Sequence, residues 1–316
     1  MLQLSVLRND PAFVKERLAV KHCKQLDLVD SIIALDDQRK KLQLDFDTTQ
    51  AKVNAASKEI GKMMASGNAA GAEAIKQEVA GWKESLDPIK TQMAEIETAL
   101  TNQLLQLPNL PGAPVPLGKT PEDNVVVKTG GPTATLPTGA MPHWDLAKKY
   151  NLIDFDLGNK ITGSGFPVYI GKGAKLQRAL IQYFLEFNTA AGYTEYLPPF
   201  MVNEASALGT GQLPDKEGQM YYMPADDFYM IPTAEVPVTN VYRDVIVKPE
   251  EFPIKMTAYS PCFRREAGSY GKDVRGLNRL HQFEKVEIIQ IVEPSTSYTV
   301  LDEMVAHVEK LVASLE

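Results

Sequence analysis

Cysteine and histidine are both scarce in this sequence. Its 316 residues include two cysteines, Cys23 and Cys262, and four histidines. No CxxC pair is present, so the sequence excludes a disulfide framework and a cysteine-based zinc site. A reducing compartment is the simplest interpretation.

Long hydrophobic runs are also lacking. No apolar stretch approaches the roughly 18 residues that a membrane-spanning helix requires. The first segment, MLQLSVLRNDPAFVKERL, is interrupted by charged residues and Pro11 before the apolar core of a secretory signal can form. The sequence therefore predicts a cytoplasmic protein with no membrane partner.

The chain has no overall excess of positive charge. It carries 33 Lys and Arg against 40 Asp and Glu, a formal net charge of −7. This balance disfavours a protein coated in basic charge and predicts no DNA partner, but it permits a local nucleic-acid site.

The first third of the chain carries two long heptad patterns. Apolar residues step by four and three from Leu28 to Met63 and again from Ala72 to Leu100, and the patterns flank the glycine-bearing segment ASGNAAG (65–71). This arrangement predicts an antiparallel helical hairpin over about residues 27–104. Taken alone, such a hairpin is equally consistent with a dimerisation or spacer coiled coil.

A proline-rich stretch ends the hairpin. LPNLPGAPVP contains four prolines, which no helix accommodates. The predicted division is an N-terminal domain at 1–107, a linker at 108–124 and a second domain at 125–316. The second domain reads as α+β: a helical segment ends at Gly192, strand-like runs follow, and KVEIIQIVE has apolar residues on both faces, as a central buried strand does.

One segment of the second domain departs from the acidic average. Residues 255–285 contain seven basic and three acidic side chains, laid out as a strand, a glycine-bearing loop and a return strand. Arginine offers a planar fork suited to phosphate, and an aromatic side chain beside it can stack on a base. Alone, the pattern also fits a solvated hairpin.

This segment resembles a known family. CFRREAGSYGKDVRGLNRLHQFEKVE resembles motif 2 of class II aminoacyl-tRNA synthetases, in the form found in seryl-tRNA synthetases. The start, MLQLSVLRNDPAFVKERL, resembles that family's opening segment, and the helical hairpin resembles its tRNA-binding arm. GYTEYLPPFMV resembles the motif 1 strand, and IPTAEVPVTN carries the serine-binding triplet. The resemblance covers essentially the whole chain and implies a class II antiparallel sheet domain flanked by helices.

The family resemblance implies an activity. A seryl-tRNA synthetase activates L-serine with ATP to seryl-adenylate and transfers the seryl group to the 3′ end of the serine tRNA, with the selenocysteine tRNA as a further acceptor. The implied partners are L-serine, ATP and serine tRNA, with Mg²⁺ as cofactor and a homodimer as the assembly.

The resemblance also assigns roles to individual residues. Arg264 is the implied catalytic residue, bridging the serine carboxylate and the α-phosphate. The implied serine site also includes Thr233, Ala234, Glu235 and Glu287, with Glu287 accepting the substrate hydroxyl. Glu266 is implied to accept from the adenine amino group or to orient the loop, and Phe283 to lie under the adenine ring. The other implied residues are Lys272, Arg275 and Arg279 for the motif 2 loop that meets ATP and the tRNA acceptor end, and Pro199 for the motif 1 dimer interface.

Two departures from the family pattern are visible. Arg265 stands where serine is common, and no glycine-rich motif 3 precedes Glu316. The resemblance therefore implies that about a quarter of such an enzyme, including the main Mg²⁺ ligands, lies outside this sequence. It also implies that the 316-residue chain alone is inactive.

Three interpretations remain open at this point: a seryl-tRNA synthetase, a paralogue that acylates an acceptor other than tRNA, and a non-catalytic fragment that binds tRNA or dimerises. No metal site is predicted within the chain. The pattern favours structural roles for His143 and His281, because no helix carries a metal-binding histidine spacing.

Overall fold

The computed structural model describes residues 2–131, 135–267 and 276–315. The chain divides into two compact units, Met1–Thr129 and Gly130–Glu316. The predicted division at 107 and 124 stays a prediction. Among the described residues, no helix combines the length and the apolar character that crossing a membrane requires.

The first unit is helical. Two short helices precede two long ones, and the order is α1 (Leu4–Asn9), α2 (Pro11–Val20), α3 (Leu28–Ala65) and α4 (Ala69–Leu104). The predicted helical hairpin is confirmed, and α4 continues through Pro88. In the short connection, Gly67 adopts a φ of 79°, which favours glycine, and Asn68 accepts a hydrogen bond from the Gly71 amide at 3.0 Å.

Two apolar clusters hold the first unit together. At the base of the hairpin, side chains from α1 and α2 pack with the start of α3, the end of α4 and the segment just after it: Leu7, Val14, Leu18, Val29, Ile32, Leu100, Leu104 and Leu107. Further along, Val53 and Ala56 of α3 pack with Val79 and Leu86 of α4. The heptad positions therefore supply the contact between the two long helices.

The described part of the second unit combines helices of 6 to 19 residues with three small sheets. Its elements are α5 (His143–Lys149), β1 (Ile153–Asp154), α6 (Phe155–Ile161), β2 (Val168–Tyr169), α7 (Lys172–Ala190), β3 (Thr194–Tyr196), β4 (Met201–Val202), α8 (Glu204–Gly209), β5 (Tyr222–Met223), β6 (Phe228–Met230), α9 (Glu235–Asn240), β7 (Ile254–Phe263), β8 (Gln282–Ile291) and α10 (Ser297–Ala313).

The central sheet of this unit has the order β3–β7–β8. β3 pairs with β7 in parallel, and β7 pairs with β8 antiparallel over ten residue pairs from Ile254↔Ile291 to Phe263↔Gln282. Two further antiparallel sheets have the orders β1–β2 and β4–β6–β5. The α+β prediction is confirmed, with one parallel strand pair in the mainly antiparallel arrangement.

The prediction that KVEIIQIVE forms a central strand buried on both sides is wrong for the described residues. The long strand β7 occupies the centre, whereas β8 has β7 as its single described neighbour and each of its residues is half-buried. Apolar residues on both faces of a strand indicate that both faces of the sheet are covered, and they carry no information about whether both edges are paired.

Candidate functional site

The β7–β8 hairpin sets out the frame of the site. Its register places Phe283 opposite Cys262, Lys285 opposite Ser260, and Glu287 opposite Ala258. Because side chains alternate along a strand, these three residues of β8 share one face. The hairpin therefore presents an aromatic ring, a cation and a carboxylate in a row.

A polar chain fixes the position of Glu287 along the strand. The Asn188 side chain of α7 donates to the Thr257 hydroxyl at 2.9 Å, and that hydroxyl donates to the Glu287 backbone carbonyl at 2.8 Å. Both Asn188 and Thr257 are buried. Buried hydrogen bonds of this kind are costly to break, so they anchor the backbone that carries the carboxylate.

The segment preceding α9 reaches the same carboxylate. Thr233 is buried, donates its hydroxyl hydrogen to Glu287 Oε2 at 2.9 Å, and accepts a hydrogen bond from the Glu235 amide at 3.1 Å. Lys285 adds an ion pair to the same oxygen, with 2.6 Å between its Nζ and Oε2. The structure thus brings together Thr233 and Glu287, two residues that the sequence analysis assigned to one serine site.

Arg264 lies directly after β7 and joins two parts of the site. Its amide donates to the His281 carbonyl at 2.9 Å, which extends the hairpin pairing by one step. Its guanidinium lies 5.1 Å from the Phe283 ring centroid and reaches the Pro232 carbonyl at 3.5 Å. A fixed guanidinium next to an aromatic ring can hold a phosphate beside a stacked base.

Glu266 and Arg279 form an ion pair where the hairpin opens into its loop. Glu266 Oε2 lies 3.0 Å from Arg279 Nη1, and the glutamate side chain is 15% exposed. Glu266 adopts a φ of 47°, in the left-handed region that few non-glycine residues occupy. Such backbone strain is often found at functional sites.

The other predicted site residues are placed as follows. Ala234 is buried at the N-cap position of α9, and Glu235 is the exposed first residue of that helix. Pro199 is exposed in the link between β3 and β4. Lys272 and Arg275 lie outside the described residues.

Two contacts at this site escaped the sequence analysis. Lys285 was counted there only as one charge of a basic segment, although its spacing of two from Glu287 on a strand was a usable signal. The second is a turn in which Asp215 accepts from the Gln219 and Met220 amides at 3.0 and 2.8 Å, while Arg265 donates its amide to the Gln219 carbonyl at 2.9 Å. Burial raises the pKa of Asp215, but these amide hydrogen bonds outweigh it and the pKa is lowered.

The two histidines near the hairpin make structural contacts. The His281 ring stacks on Phe166 with 5.3 Å between centroids and hydrogen-bonds the Tyr221 hydroxyl at 2.7 Å through Nδ1. His143 Nε2 accepts from the Leu277 amide at 2.8 Å. Within the part of the chain that the structure describes, no three His, Cys, Asp or Glu residues group as metal ligands would.

Two family models match the chain. The seryl-tRNA synthetase N-terminal domain matches residues 1–111, and the class II tRNA synthetase core domain (G, H, P, S and T) matches residues 222–315. The second match includes the whole β7–β8 hairpin.

Individual relatives agree with these matches. A serine–tRNA ligase of Salinibacter ruber is 46% identical over 316 residues, which is 100% of this chain and 74% of that protein. A serine–tRNA ligase of Methylacidiphilum infernorum is 42% identical with the same coverage. The crystal structure of seryl-tRNA synthetase from Pyrococcus horikoshii complexed with ATP superposes with a TM-score of 0.87 at 27% identity, covering 100% of this chain and 75% of that one.

Proposed function

Because the chain belongs to the seryl-tRNA synthetase family, whose members are class II serine–tRNA ligases, we propose that the β7–β8 hairpin and the Thr233–Glu235 segment form its serine-activating site. The observation that carries this proposal is the convergence of Thr233 and Glu287, 2.9 Å apart, beside Arg264 and Phe283. The family matches favour a ligase over a non-catalytic fragment or a paralogue with another acceptor.

The first step of the reaction makes a mixed anhydride. A carboxylate oxygen of serine attacks the α-phosphorus of ATP, a new P–O bond forms, and the bond to pyrophosphate breaks. The attacking carboxylate is already ionised, so no general base is needed, and the site acts by positioning and by neutralising charge at phosphorus. Arg264 supplies that charge and bridges the carboxylate to the α-phosphate.

Recognition of serine rests on its hydroxyl. Glu287 accepts that hydroxyl, while Thr233 and Glu235 hold the ammonium and buried Ala234 fixes the turn between them. Alanine would place a methyl group where the carboxylate accepts the serine hydroxyl, and losing a hydrogen bond to a charged group costs more than a lost van der Waals contact. A site built in this way rejects alanine without needing a tighter shape.

Adenine is assigned to Phe283 and Glu266. The ring of Phe283 offers two faces, so the Arg264 guanidinium and the adenine can occupy opposite ones. The Glu266 carboxylate accepts the adenine amino group and is oriented by Arg279. Arg279, with Lys272 and Arg275, extends positive charge toward ATP and the acceptor end of tRNA. In the transfer step the 3′-terminal hydroxyl of tRNA attacks the seryl carbonyl and AMP leaves.

Mg²⁺ accompanies ATP in the proposed reaction. The described residues offer no group of three His, Cys, Asp or Glu side chains that would hold a metal ion. Mg²⁺ at ATP sites is held mainly by the phosphates with one or two carboxylates, and it would there neutralise charge on the phosphates.

The helical hairpin and α7 complete the proposal. We assign the hairpin of α3 and α4 to the serine tRNA as a clamp. We assign α7, β3 and Pro199 to an isologous homodimer interface, where Leu176 and Leu197 are 57% and 79% exposed.

The test of the serine site is Glu287→Gln in the native gene product. The substitution keeps the shape of the side chain but removes its charge. The transition-state stabilisation for serine activation should therefore fall by about 1.5–3 kcal/mol, the value of a hydrogen bond to a charged group. Pyrophosphate exchange with serine and with alanine measures the change, and discrimination against alanine should narrow in parallel. Glu284→Gln is the matched control, because Glu284 lies on the opposite face of β8 and accepts a hydrogen bond from the Tyr259 hydroxyl.

An unchanged serine-to-alanine ratio in Glu287→Gln would assign the hydroxyl contact to another residue. An equal loss in the Glu284→Gln control would indicate a general disturbance of β8 instead.

A further inference from the structure

Lys285 has no role in the mechanism above, yet it lies within the site. It stands on β8 between Phe283 and Glu287 and shares their face of the strand. Its side chain is 30% exposed and that of Glu287 is 23% exposed, so both border the open side of the site while remaining largely covered. Lysine is almost never fully buried without an anionic partner, and Lys285 has such a partner in Glu287.

The two donors to Glu287 bind the same oxygen. The Lys285 ammonium lies 2.6 Å from Oε2, and the Thr233 hydroxyl lies 2.9 Å from Oε2. Among the described residues, no hydrogen bond or ion pair reaches the other oxygen, Oε1. A carboxylate offers about four lone-pair positions on its two oxygens, so this arrangement leaves the acceptor capacity of Oε1 for another donor.

The same cation acts on the neighbouring strand. Burial raises the pKa of the Cys262 thiol. Its hydrogen bond with Ser260 and the charges of Lys285 and Arg264 lower that pKa, while the charge of Glu287 raises it. Cys262 lies opposite Phe283 across the hairpin, and both cations act on its buried thiol. Lys285 therefore belongs to the electrostatic environment of the site.

We propose that Lys285 is a positioning residue for serine recognition: it holds Oε2 of Glu287 together with Thr233, so that Oε1 accepts the substrate hydroxyl. This inference rests on the proposed function of Glu287 and deepens it. A carboxylate pinned at one oxygen cannot rotate freely, so its second oxygen is preorganised before serine arrives. Charge-assisted bonds are the strong ones, so the ammonium is the principal restraint.

The experiment uses Lys285→Met, Lys285→Arg, Glu287→Gln and the double variant Lys285→Met/Glu287→Gln in the native gene product. The probes are the non-reactive adenylate mimics seryl-sulfamoyl adenosine and alanyl-sulfamoyl adenosine, with dissociation constants measured by calorimetry. Lys255→Met is the matched control, because Lys255 lies on β7 with its Nζ 5.7 Å from the Tyr193 ring.

The expected result is a loss confined to the hydroxyl. Lys285→Met should weaken binding of the seryl mimic on the order of 10–30-fold more than binding of the alanyl mimic, because the alanyl mimic has no hydroxyl to position. Lys285→Arg should recover most of that ratio because it keeps the positive charge. In the double variant, the preference for the seryl mimic should fall no more than about 3-fold below that of Glu287→Gln alone, because the two residues act through one contact.

Two results would overturn the inference, and they are distinguishable. If Glu287→Gln narrows the ratio while Lys285→Met weakens both mimics equally, Lys285 acts on the shared sulfamoyl group, which stands for the adenylate phosphate, or on folding, and the proposed function of Glu287 stands. If Glu287→Gln leaves the ratio unchanged, the hydroxyl role of Glu287 fails and the role of Lys285 fails with it.

Discussion

The guanidinium of Arg264 lies 5.1 Å from the ring centroid of Phe283, across the end of the β7–β8 hairpin. The contact links the residue assigned to the α-phosphate with the residue assigned to adenine. A cation beside an aromatic ring is attracted by the ring's quadrupole, on the order of 0.5–1 kcal/mol at a partly exposed site. The arginine is therefore oriented by the same side chain on which the base would stack.

Phe283→Leu tests this shared role. Leucine keeps the apolar volume but removes stacking, which is worth about 1–3 kcal/mol per base. We expect the KM for ATP in pyrophosphate exchange to rise on the order of 10-fold or more, because stacking acts mainly on nucleotide binding. The serine-to-alanine ratio should not change.

Phe228→Leu is the control for Phe283→Leu, since Phe228 is 43% exposed on β6 and is assigned neither to the site nor to the dimer interface. A Phe283→Leu variant with an unaltered KM for ATP would contradict the assignment of the adenine to this ring.

Local patterns in the sequence predicted much of this fold. The two heptad patterns predicted α3 and α4 because apolar residues recur at the same positions in every seven, so that each helix can be recognised from its own sequence alone. The place of β8 could not be predicted in that way, since strand order depends on pairing with a distant segment. The sequence assigned KVEIIQIVE to the centre, but β7 is the central strand of the described sheet.

The candidate site was predictable residue by residue but not contact by contact. Thr233 and Glu287 were each named from family motifs, yet their hydrogen bond joins residues 54 positions apart. Lys285 was overlooked because a charge total does not say which anion a lysine meets. Pairing across the hairpin, which sets these contacts, is a property of the folded sheet.

Shortening the helical hairpin tests its role as a tRNA clamp. Phe46 and Lys90 lie opposite each other, 5.9 Å from ammonium to ring centroid, so residues 47–89 can be replaced by a short glycine-containing turn. The base cluster of Leu7, Ile32 and Leu100 stays intact in that variant. Pyrophosphate exchange should stay within about 3-fold of the parent, while tRNA charging should fall on the order of 100-fold, since phosphate contacts dominate tRNA affinity.

The salt dependence of tRNA binding provides a second measurement on the shortened hairpin. The affinity of the parent should fall steeply as salt rises, because each phosphate contact releases counterions, and the shortened variant should show a shallower slope. Equal loss of exchange and charging would indicate that the hairpin serves as a structural spacer.

Leu197→Lys tests the proposed homodimer. Leu197 is 79% exposed in the segment after β3, and a charge there should be costly to bury against a second copy. Sedimentation velocity at micromolar concentration should show a shift from dimer toward monomer. Ile246→Lys is the control, since Ile246 is 96% exposed outside α7 and β3. A parent protein that sediments as a monomer would contradict the dimer itself.

Asp36→Asn tests a charge cluster at the base of the helical hairpin. Asp36 is 1% exposed, and its carboxylate forms ion pairs with Arg8, Arg39 and Lys40, with nitrogen–oxygen distances of 2.9, 2.8 and 2.9 Å. Asparagine would leave three cations without their shared anion, so the free energy of unfolding at pH 7 should fall by about 2–3 kcal/mol. Urea denaturation followed by circular dichroism at 222 nm measures the change.

The acid dependence of stability gives the sharper test of Asp36. Burial raises the pKa of its carboxyl, but hydrogen bonds and charges from Lys40 and Arg39 outweigh it and hold the pKa below the ordinary value of 3.8. A depressed folded-state pKa means that the stabilisation is complete above the unfolded value and is lost as pH falls through the folded one. The stability difference between parent and Asp36→Asn should therefore be constant at neutral pH and shrink below about pH 4.

The neighbouring Asp37→Asn is the matched control for both measurements. Asp37 pairs with Arg8 at 2.7 Å but is 59% exposed, so its loss should cost less than about 1 kcal/mol. If Asp36→Asn and Asp37→Asn cost the same, and the acid dependence of Asp36→Asn matches that of the parent, Asp36 does not hold the charge cluster. In that case the apolar contacts of Leu7 and Ile32 alone hold α1 against the hairpin.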